Sequence, residues 1–156
     1  LTISYFTGLR PGQVELFRLT WNDVDLDSGF IHVLSANKGG IRQRSVPIHE
    51  SFRKSLEQWH KADDGKGYLV HYRGKPIKKI KTAWRNAKAK AGITRRLRPY
   101  DVRHAFASAM LSAGGDLKST SELLGHTRTD TTTRVYQHTN VDMHKANIDR
   151  LPGLDQ

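Results

Sequence analysis

Short alternating runs of apolar and polar residues mark the first third of the chain. Residues 23–27 alternate aspartate with apolar residues, Ser28-Gly29 form a turn, and an apolar run covers 30–34. After a second turn, residues 42–48 contain a further run of this kind. A period of two, interrupted by turn residues, is typical of strands joined by tight connections. The pattern therefore predicts three short strands.

Elsewhere the apolar positions recur at the spacing of amphipathic helices. Asp101 is placed to cap one helix, and Asp116 and Gly125 are placed to begin and close the next. The predicted helices are 1–6, Pro11 to about Arg18, 50–61, Pro76 to 91, 101–113, 117–124 and a short last helix from Thr129-Asp130. The predicted inward-facing residues include Val14, Leu16, Phe17, Ile77, Ile80, Trp84, Ala87, Ala91, Val102, Phe106, Ala109 and Met110.

These elements predict an α+β fold, mostly helical with a small three-stranded antiparallel sheet. We expect one domain over residues 1–156, whose first helix is truncated because the chain starts with apolar residues and no Met. Its composition, 37% hydrophobic and 26% charged, is that of a soluble globular chain without a membrane span. The absence of cysteine excludes disulfides and thiol catalysis.

The positive charge is concentrated in one segment. The formal net charge is +11, and residues 65–100 contain twelve Lys or Arg and no Asp or Glu. This clustering indicates a face that binds a polyanion, whereas charge that only solvates a surface is usually mixed in sign. Within the segment, the helix after Pro76 combines an apolar side with a basic side, a pattern suited to the major groove of DNA. Binding to a membrane surface is the alternative, and the alanine-rich apolar side is weak for it.

Three aspartates, Asp23, Asp25 and Asp27, invite a comparison with two-metal phosphoryl-transfer sites. Their alternation with apolar residues instead indicates the solvated side of a strand. We therefore predict no metal site and no cofactor.

The segment 97–138 contains the residues that suggest a chemistry. Arg103 stands in PYDVRHAFAS, His126 in ELLGH and Tyr136 in TTTRVYQH. Attack of a tyrosine phenolate on a phosphodiester needs such groups, because cations must offset the charge of the phosphate. Taken together, these motifs resemble those of the tyrosine recombinase (phage integrase) family.

Two more motifs extend this resemblance across nearly the whole chain. TGLRPGQVELFRL resembles the family's first arginine box, with Arg10 as a phosphate ligand, and Lys38 on a β-turn resembles its catalytic lysine. Two positions depart from the family pattern. Gln13 stands where a glutamate is usual, which drops a charge, and Tyr100 stands where the family has His or Lys.

The resemblance implies a site-specific recombinase that works without metal or ATP. Arg10 and Arg103 would bind the phosphate, Tyr136 would attack it to form a 3′-phosphotyrosyl bond, and Lys38 would protonate the leaving 5′ oxygen. His126 would donate to the phosphate or, less readily, help to deprotonate the tyrosine. The possible third phosphate ligands are Tyr100 and His104, although His104 is better explained as a core or supporting histidine.

The expected partner is double-stranded DNA. The resemblance also implies a homo-oligomer (a tetramer on DNA), possible accessory DNA-bending proteins, an additional N-terminal DNA-clamping domain, and a tail, 139–156, that docks on a neighbouring protomer. The expected location is the nucleoid in the cytoplasm. The alternatives are a topoisomerase of the same chemistry, a DNA-binding module with a degenerate site, and a basic nucleic-acid-binding fold without chemistry. The predicted DNA-binding residues are Lys78, Lys79, Lys81, Arg85, Lys88, Arg42 and Arg44.

Overall fold

The computed structural model describes residues 1–37 and 40–126, so Lys38, Tyr136, the predicted last helix and the tail 139–156 lie outside it. The described residues form an α+β fold, and the predicted class is confirmed. The helices are α1 (Thr2–Thr7), α2 (Glu50–Ala62), α3 (Lys81–Lys90), α4 (Asp101–Ser112) and α5 (Leu117–Leu124). The strands are β1 (Val24–Asp25), β2 (Phe30–Asn37), β3 (Gly40–Pro47), β4 (His71–Tyr72) and β5 (Lys75–Pro76).

The first three strands form an antiparallel sheet with β2 in the middle, as predicted. In the β2–β3 register, Ile31 pairs with Val46 and Val33 with Arg44. Because side chains alternate across a strand, Ile31, Val33 and Val46 are buried on one face, while Leu34 on the other face is 50% exposed. The side chain of Arg44 therefore extends toward the buried side of the sheet.

Two apolar clusters hold the elements together. The buried face of the sheet shares a core with α2 through residues such as Phe52, and a smaller cluster joins Phe106 and Ala107 of α4 to Leu124 of α5. Gly8, just after α1, has a left-handed φ of 62°, and a Cβ there would lie 2.5 Å from Cδ1 of Phe106. This close approach places the end of α1 against α4, next to the site described below.

The segment after Pro11 differs from its prediction. It forms turns followed by a 3-10 helix at Leu16–Arg18, in place of an α-helix. Val14, which was predicted to be buried, is 43% exposed, whereas Glu15 and Phe17 are buried. Leu16 and Phe17 are buried as predicted, and only Val14 was wrongly assigned, because the carboxylate of Glu15 takes an inward position.

Helix α3 begins at Lys81, later than predicted. Pro76 cannot start the helix because it lies in β5, where it pairs with His71 of β4. Ile77 and Ile80 pack against the main core from the connecting segment, and no residue of α3 itself is fully buried. The helix therefore lies at the edge of the domain, with most of its length exposed.

The buried face of helix α4 matches the prediction at Phe106 and differs from it elsewhere. Its buried residues are Arg103, Phe106 and Ala107, whereas Ala109 is exposed. Asp101 is the first residue of the helix and not its cap, and it accepts a hydrogen bond from the backbone N–H of Arg98 at 2.8 Å. Within the described ranges, no helix has the length and apolar character that a membrane crossing requires.

Candidate active site

Arg103 lies where the ends of α1 and α5 meet the first turn of α4. Its side chain is only 2% exposed. Nη1 donates to the carbonyl of Gly8 at 2.7 Å, and Nη2 donates to the carbonyl of Leu124. Nη2 also lies 3.1 Å from Nε2 of His126. Burial lowers the pKa of Arg103 below its usual value, yet a guanidinium keeps its proton at any physiological pH. The site therefore contains a fixed positive charge.

A buried carboxylate, Glu15, lies beside this charge. Its side chain is 0% exposed, and its Oε2 lies 3.8 Å from Nη1 of Arg103. Oε2 also accepts from the backbone N–H of Arg10 at 2.8 Å, and Oε1 accepts from the hydroxyl of Ser35 at 2.6 Å. Burial raises the pKa of Glu15, but the hydrogen bonds and charge of Arg44, together with the hydrogen bonds from Ser35 and the Arg10 backbone, outweigh burial and hold that pKa below its usual value. Glu15 is thus an anion among arginines.

Glu15 corrects the interpretation of Gln13. The motif predicts that a carboxylate is lost at Gln13, but Gln13 is exposed, and the buried carboxylate of Glu15 lies two residues further on. Sequence reasoning missed Glu15 because it looked for the charge at one fixed distance from Arg10. The available signal was an acidic residue between the apolar residues Val14 and Leu16.

Arg44 was predicted to bind DNA, and the structure gives it another place. Its side chain is 12% exposed and forms a bidentate ion pair with Glu15. Nη1 donates to Oε1 at 3.1 Å, and Nη2 donates to Oε2 at 2.9 Å. Nη1 also donates to Ser35 Oγ at 2.6 Å, and Nε donates to the carbonyl of Leu123 at 2.8 Å. The guanidinium N–H groups that could have donated to a phosphate thus donate to groups inside the protein. Arg44 therefore belongs to the interior of the site.

His126 follows directly after α5. Asp116 caps the start of that helix by accepting from the backbone N–H of Ser119 at 2.7 Å, and Gly125 ends it with a left-handed φ of 67°, both as predicted. Since a guanidinium can only donate, Nε2 of His126 accepts from Arg103 and the imidazole proton is on Nδ1. A hydrogen bond from this neutral ring to a phosphate would have to come from Nδ1.

The protonation state of His126 follows from its surroundings. Burial and the positive charges of Arg103, Arg10 and Arg44 lower the pKa of His126 to about 4, while the charge of Glu15 acts weakly in the opposite direction. At neutral pH the ring is therefore uncharged. The positive charge of the site comes from its arginines.

The remaining predicted ligands lie around this centre. Arg10 is more exposed than Arg44 and Arg103, at 24% of its side chain, and its Nε lies 3.4 Å from Glu15 Oε1. Tyr100 precedes α4 and is 39% exposed. Its ring centroid lies 6.0 Å from Cζ of Arg103 and 5.1 Å from the ring of half-buried His104. The structure thus brings Arg10, Arg103, His126 and Tyr100 to one region.

Most of the predicted DNA-binding side chains on α3 and just before it are exposed. Trp84 anchors the helix by donating from Nε1 to the carbonyl of Leu97 at 2.8 Å. Lys88 is half-buried, and its Nζ donates to the carbonyl of Arg95 at 2.7 Å. Of the predicted DNA-binding residues here, Lys78, Lys79, Lys81 and Arg85 have exposed side chains. The side chain of Arg42 is outside the described atoms.

The aspartates near β1 satisfy local backbone groups. Asp23 accepts from the backbone N–H and the hydroxyl of Thr20, both at 2.8 Å, and Asp25 accepts from the backbone N–H groups of Asp27 and Ser28. Across residues 1–37 and 40–126, no three His, Cys, Asp or Glu side chains are grouped as metal ligands. These aspartates therefore shape turns.

The chain belongs to the phage integrase family, whose model matches residues 1–143. It is 34% identical over 143 residues to tyrosine recombinase XerC of Xylella fastidiosa (strain 9a5c), a match that covers 88% of this chain and 47% of that protein. XerC of Proteus mirabilis is 31% identical over 146 residues, with 88% and 46% covered. The chain thus spans about half the length of these relatives.

Solved structures support the same assignment at the level of the fold. The crystal structure of XerA recombinase superposes with a TM-score of 0.74 at 26% identity, and the match covers 98% of this chain and 57% of that one. The catalytic domain of bacteriophage HP1 integrase gives a TM-score of 0.61 at 21% identity, covering 95% and 78% of the two chains. The helix and strand arrangement described above is therefore the family's fold.

Proposed function

We propose that this chain is the catalytic part of a site-specific tyrosine recombinase, an enzyme that cleaves and rejoins DNA strands through a 3′-phosphotyrosyl intermediate. The observation that carries this proposal is the group formed by Arg10, Arg103 and neutral His126 around buried Glu15. A phosphodiester resists attack because its negative charge repels a nucleophile and grows in the transition state. Fixed guanidiniums can offset that charge without a metal ion.

The proposed reaction is a pair of transesterifications. The phenolate oxygen of Tyr136 attacks the phosphorus, a bond from phosphorus to that oxygen forms, and the bond to the 5′ oxygen breaks. The phenol's proton passes to a base, and Lys38 gives a proton to the leaving 5′ oxygen. Rejoining reverses these steps with a 5′ hydroxyl as the nucleophile. Because each step exchanges one phosphate ester for another, no ATP is needed.

We also propose the wider setting of this reaction. The partner is double-stranded DNA, held in part by the exposed basic side chains of α3 and the segment before it. The enzyme acts as a tetramer on DNA, with the tail 139–156 docked on a neighbouring protomer, a DNA-clamping domain preceding this one, and accessory DNA-bending proteins assisting. It works in the cytoplasm, at the nucleoid. Support comes from family membership and from the concentration of positive charge in residues 65–100.

A nicked DNA substrate tests the proposal. Duplexes that the chain binds are selected from a random pool, and each is nicked beside candidate scissile phosphates so that the cleaved end diffuses away. A recombinase accumulates a covalent protein–DNA complex on such a substrate and exchanges strands between two intact copies of the site. Covalent complex and plasmid relaxation without strand exchange would indicate a topoisomerase. DNA binding without any covalent complex would indicate a binding module with an inactive site.

A further inference from the structure

We propose that Arg44 is a positioning residue for the reaction: through Leu123 and Glu15 it holds His126 and Arg103 in the geometry that receives the phosphate. This inference rests on the proposed function. It assigns a role to a side chain that lies on the sheet, outside every motif that suggested the chemistry.

The first argument is the set of elements that Arg44 joins. From β3, its guanidinium reaches Ser35 on β2, Glu15 in the segment after Arg10, and the carbonyl of Leu123 in α5. Arg44 and Leu123 are 79 residues apart in sequence. A planar group with five donors can bridge several acceptors at fixed angles, whereas a lysine ammonium is a point charge on a flexible stem.

The second argument is the end of α5. The last carbonyls of a helix have no partner within the helix and carry partial negative charge. Here two successive carbonyls accept from two arginines, Leu123 from Arg44 and Leu124 from Arg103. Both arginines lie against Glu15, Arg44 in the ion pair and Arg103 at 3.8 Å. The helix end that presents His126 is therefore fixed by two cations held by one carboxylate.

The third argument is the space at Gly125, the residue before His126. A Cβ at Gly125 would lie 2.7 Å from Nη1 of Arg44. The guanidinium thus packs directly against the backbone that turns from α5 to His126. A shift of this turn would move the histidine and the carbonyl of Leu124, which binds Arg103.

The fourth argument is the charge that Arg44 supplies. Its hydrogen bonds and charge, together with the hydrogen bonds from Ser35 and the backbone of Arg10, outweigh the effect of burial on the Glu15 carboxylate. With Arg44 present, Arg103 and Arg10 do not have to neutralise Glu15 by themselves, and their charge remains available to a phosphate. The charged groups that act on His126 are Arg103 in α4, Arg44 in β3, and Arg10 and Glu15 in the segment after α1.

Two substitutions and one control test this role. Arg44→Met keeps an unbranched apolar stem and removes the guanidinium with its charge and donors, and Arg44→Lys keeps the charge without the planar set of donors. The control is Arg53→Met, because Arg53 also donates to a backbone carbonyl, that of Leu26, but lies outside the site. The measurements are DNA affinity, the single-turnover rate of covalent complex formation on the nicked duplex, and the pKa of His126 by NMR.

We expect Arg44→Met to leave DNA affinity nearly unchanged and to lower the cleavage rate by about tenfold to a hundredfold, since small displacements of reacting groups have effects of this size. The pKa of His126 should rise by about one unit, because a nearby cation is lost. Arg44→Lys should keep this pKa closer to the wild-type value while the rate stays low. Arg53→Met should change neither the rate nor the pKa of His126.

Three results would overturn the inference. They are a wild-type cleavage rate in Arg44→Met, a rate loss matched by an equal loss of DNA affinity, and a rate loss with an unchanged pKa of His126. If Arg44→Met does not fold, full activity of Arg44→Lys would also contradict it. A wild-type chain that forms no covalent complex would contradict the proposed function instead, and the His126 titration, which needs no DNA, would still test whether Arg44 acts on His126.

Discussion

Nη2 of Arg103 donates a hydrogen bond to Nε2 of His126 across 3.1 Å. This contact joins two residues that are 23 positions apart and fixes the tautomer of the histidine. It also explains why the ring resists a second proton, since protonation of Nε2 would break the bond and place two cations together. The His126 imidazole is thus a neutral group in a positively charged site.

The pKa of His126, lowered to about 4, predicts a specific effect of pH on stability. As pH falls from about 6.5 toward 4, the histidine of the unfolded chain takes up a proton while that of the folded chain does not. The unfolded state then binds more protons, so the free energy of unfolding decreases, by on the order of 1–3 kcal/mol for this shift. Urea unfolding at several pH values measures it.

A matched variant isolates the contribution of this histidine. In His126→Asn, the free energy of unfolding should decrease less between pH 6.5 and 4 than in the wild type, because the contribution of the histidine is removed. Some decrease should remain, because the other titrating groups are still present. If the free energy of unfolding depended on pH equally in the two proteins, the lowered pKa of His126 would be contradicted.

Glu15 should be more important for stability than its neighbour Gln13. Glu15→Gln removes the charge that faces Arg44 and Arg103 in a buried site, and leaving buried charges unpaired typically costs about 3–5 kcal/mol. Gln13→Ala changes an exposed side chain and should stay within about 0.5 kcal/mol of the wild type. Denaturant unfolding of both variants gives the comparison, and a larger loss in Gln13→Ala would refute the assignment of Glu15.

The sequence predicts those residues of the site that stand in short motifs, and it misses contacts between residues far apart in the chain. Arg10, Arg103 and His126 were predicted as site residues because each stands in a short motif, and the structure places them together. The partners of Arg103 and Arg44 were not found, because these hydrogen bonds join residues 95 and 79 positions apart. Nothing in a strand pattern distinguishes an arginine that faces solvent from one that faces a buried carboxylate.

In the fold, too, elements with local sequence signals were predicted, and features set by long-range contacts were missed. The three strands and α5 were predicted from alternation, turn residues and caps, which are local. The start of α3 was missed because pairing of Pro76 with His71 overrides the helical pattern that follows. On α4 the inward position of Phe106 was predicted, but that of Arg103 was missed because hydrophobicity cannot assign a buried charged residue.

Tyr100 is expected to act as a phosphate ligand through its hydroxyl. It stands beside Arg103, with its ring 6.0 Å from the guanidinium carbon. Tyr100→Phe should slow cleavage, because it removes the one donor. Tyr100→His should keep or raise the rate, since a charge-assisted hydrogen bond is worth about 1.5–3 kcal/mol. Single-turnover rates and melting temperatures separate catalysis from folding, and an unaffected Phe variant would show that the ring only packs against His104.

The exposed basic side chains near α3 should control DNA affinity. Replacing Lys78, Lys81 and Arg85 with Ala should weaken binding and reduce the slope of log affinity against log salt by about 0.9 for each lost phosphate contact. The control replaces three exposed basic residues outside the basic segment, Arg18, Lys54 and Lys61, with Ala. Equal slopes for the two triple variants would mean that the segment 65–100 is not the DNA-binding face.

The identity of the residue that becomes attached to DNA tests the central claim most directly. After reaction with a nicked duplex, proteolysis and mass spectrometry locate the nucleotide on the protein, and Tyr136→Phe serves as the control because it removes only the hydroxyl. We predict a 3′-phosphoryl nucleotide on Tyr136 in the wild type, formed equally well in the presence of a chelator, and no adduct in Tyr136→Phe at undiminished DNA binding. An adduct on another residue, or one that persists in the Phe variant, would contradict the account.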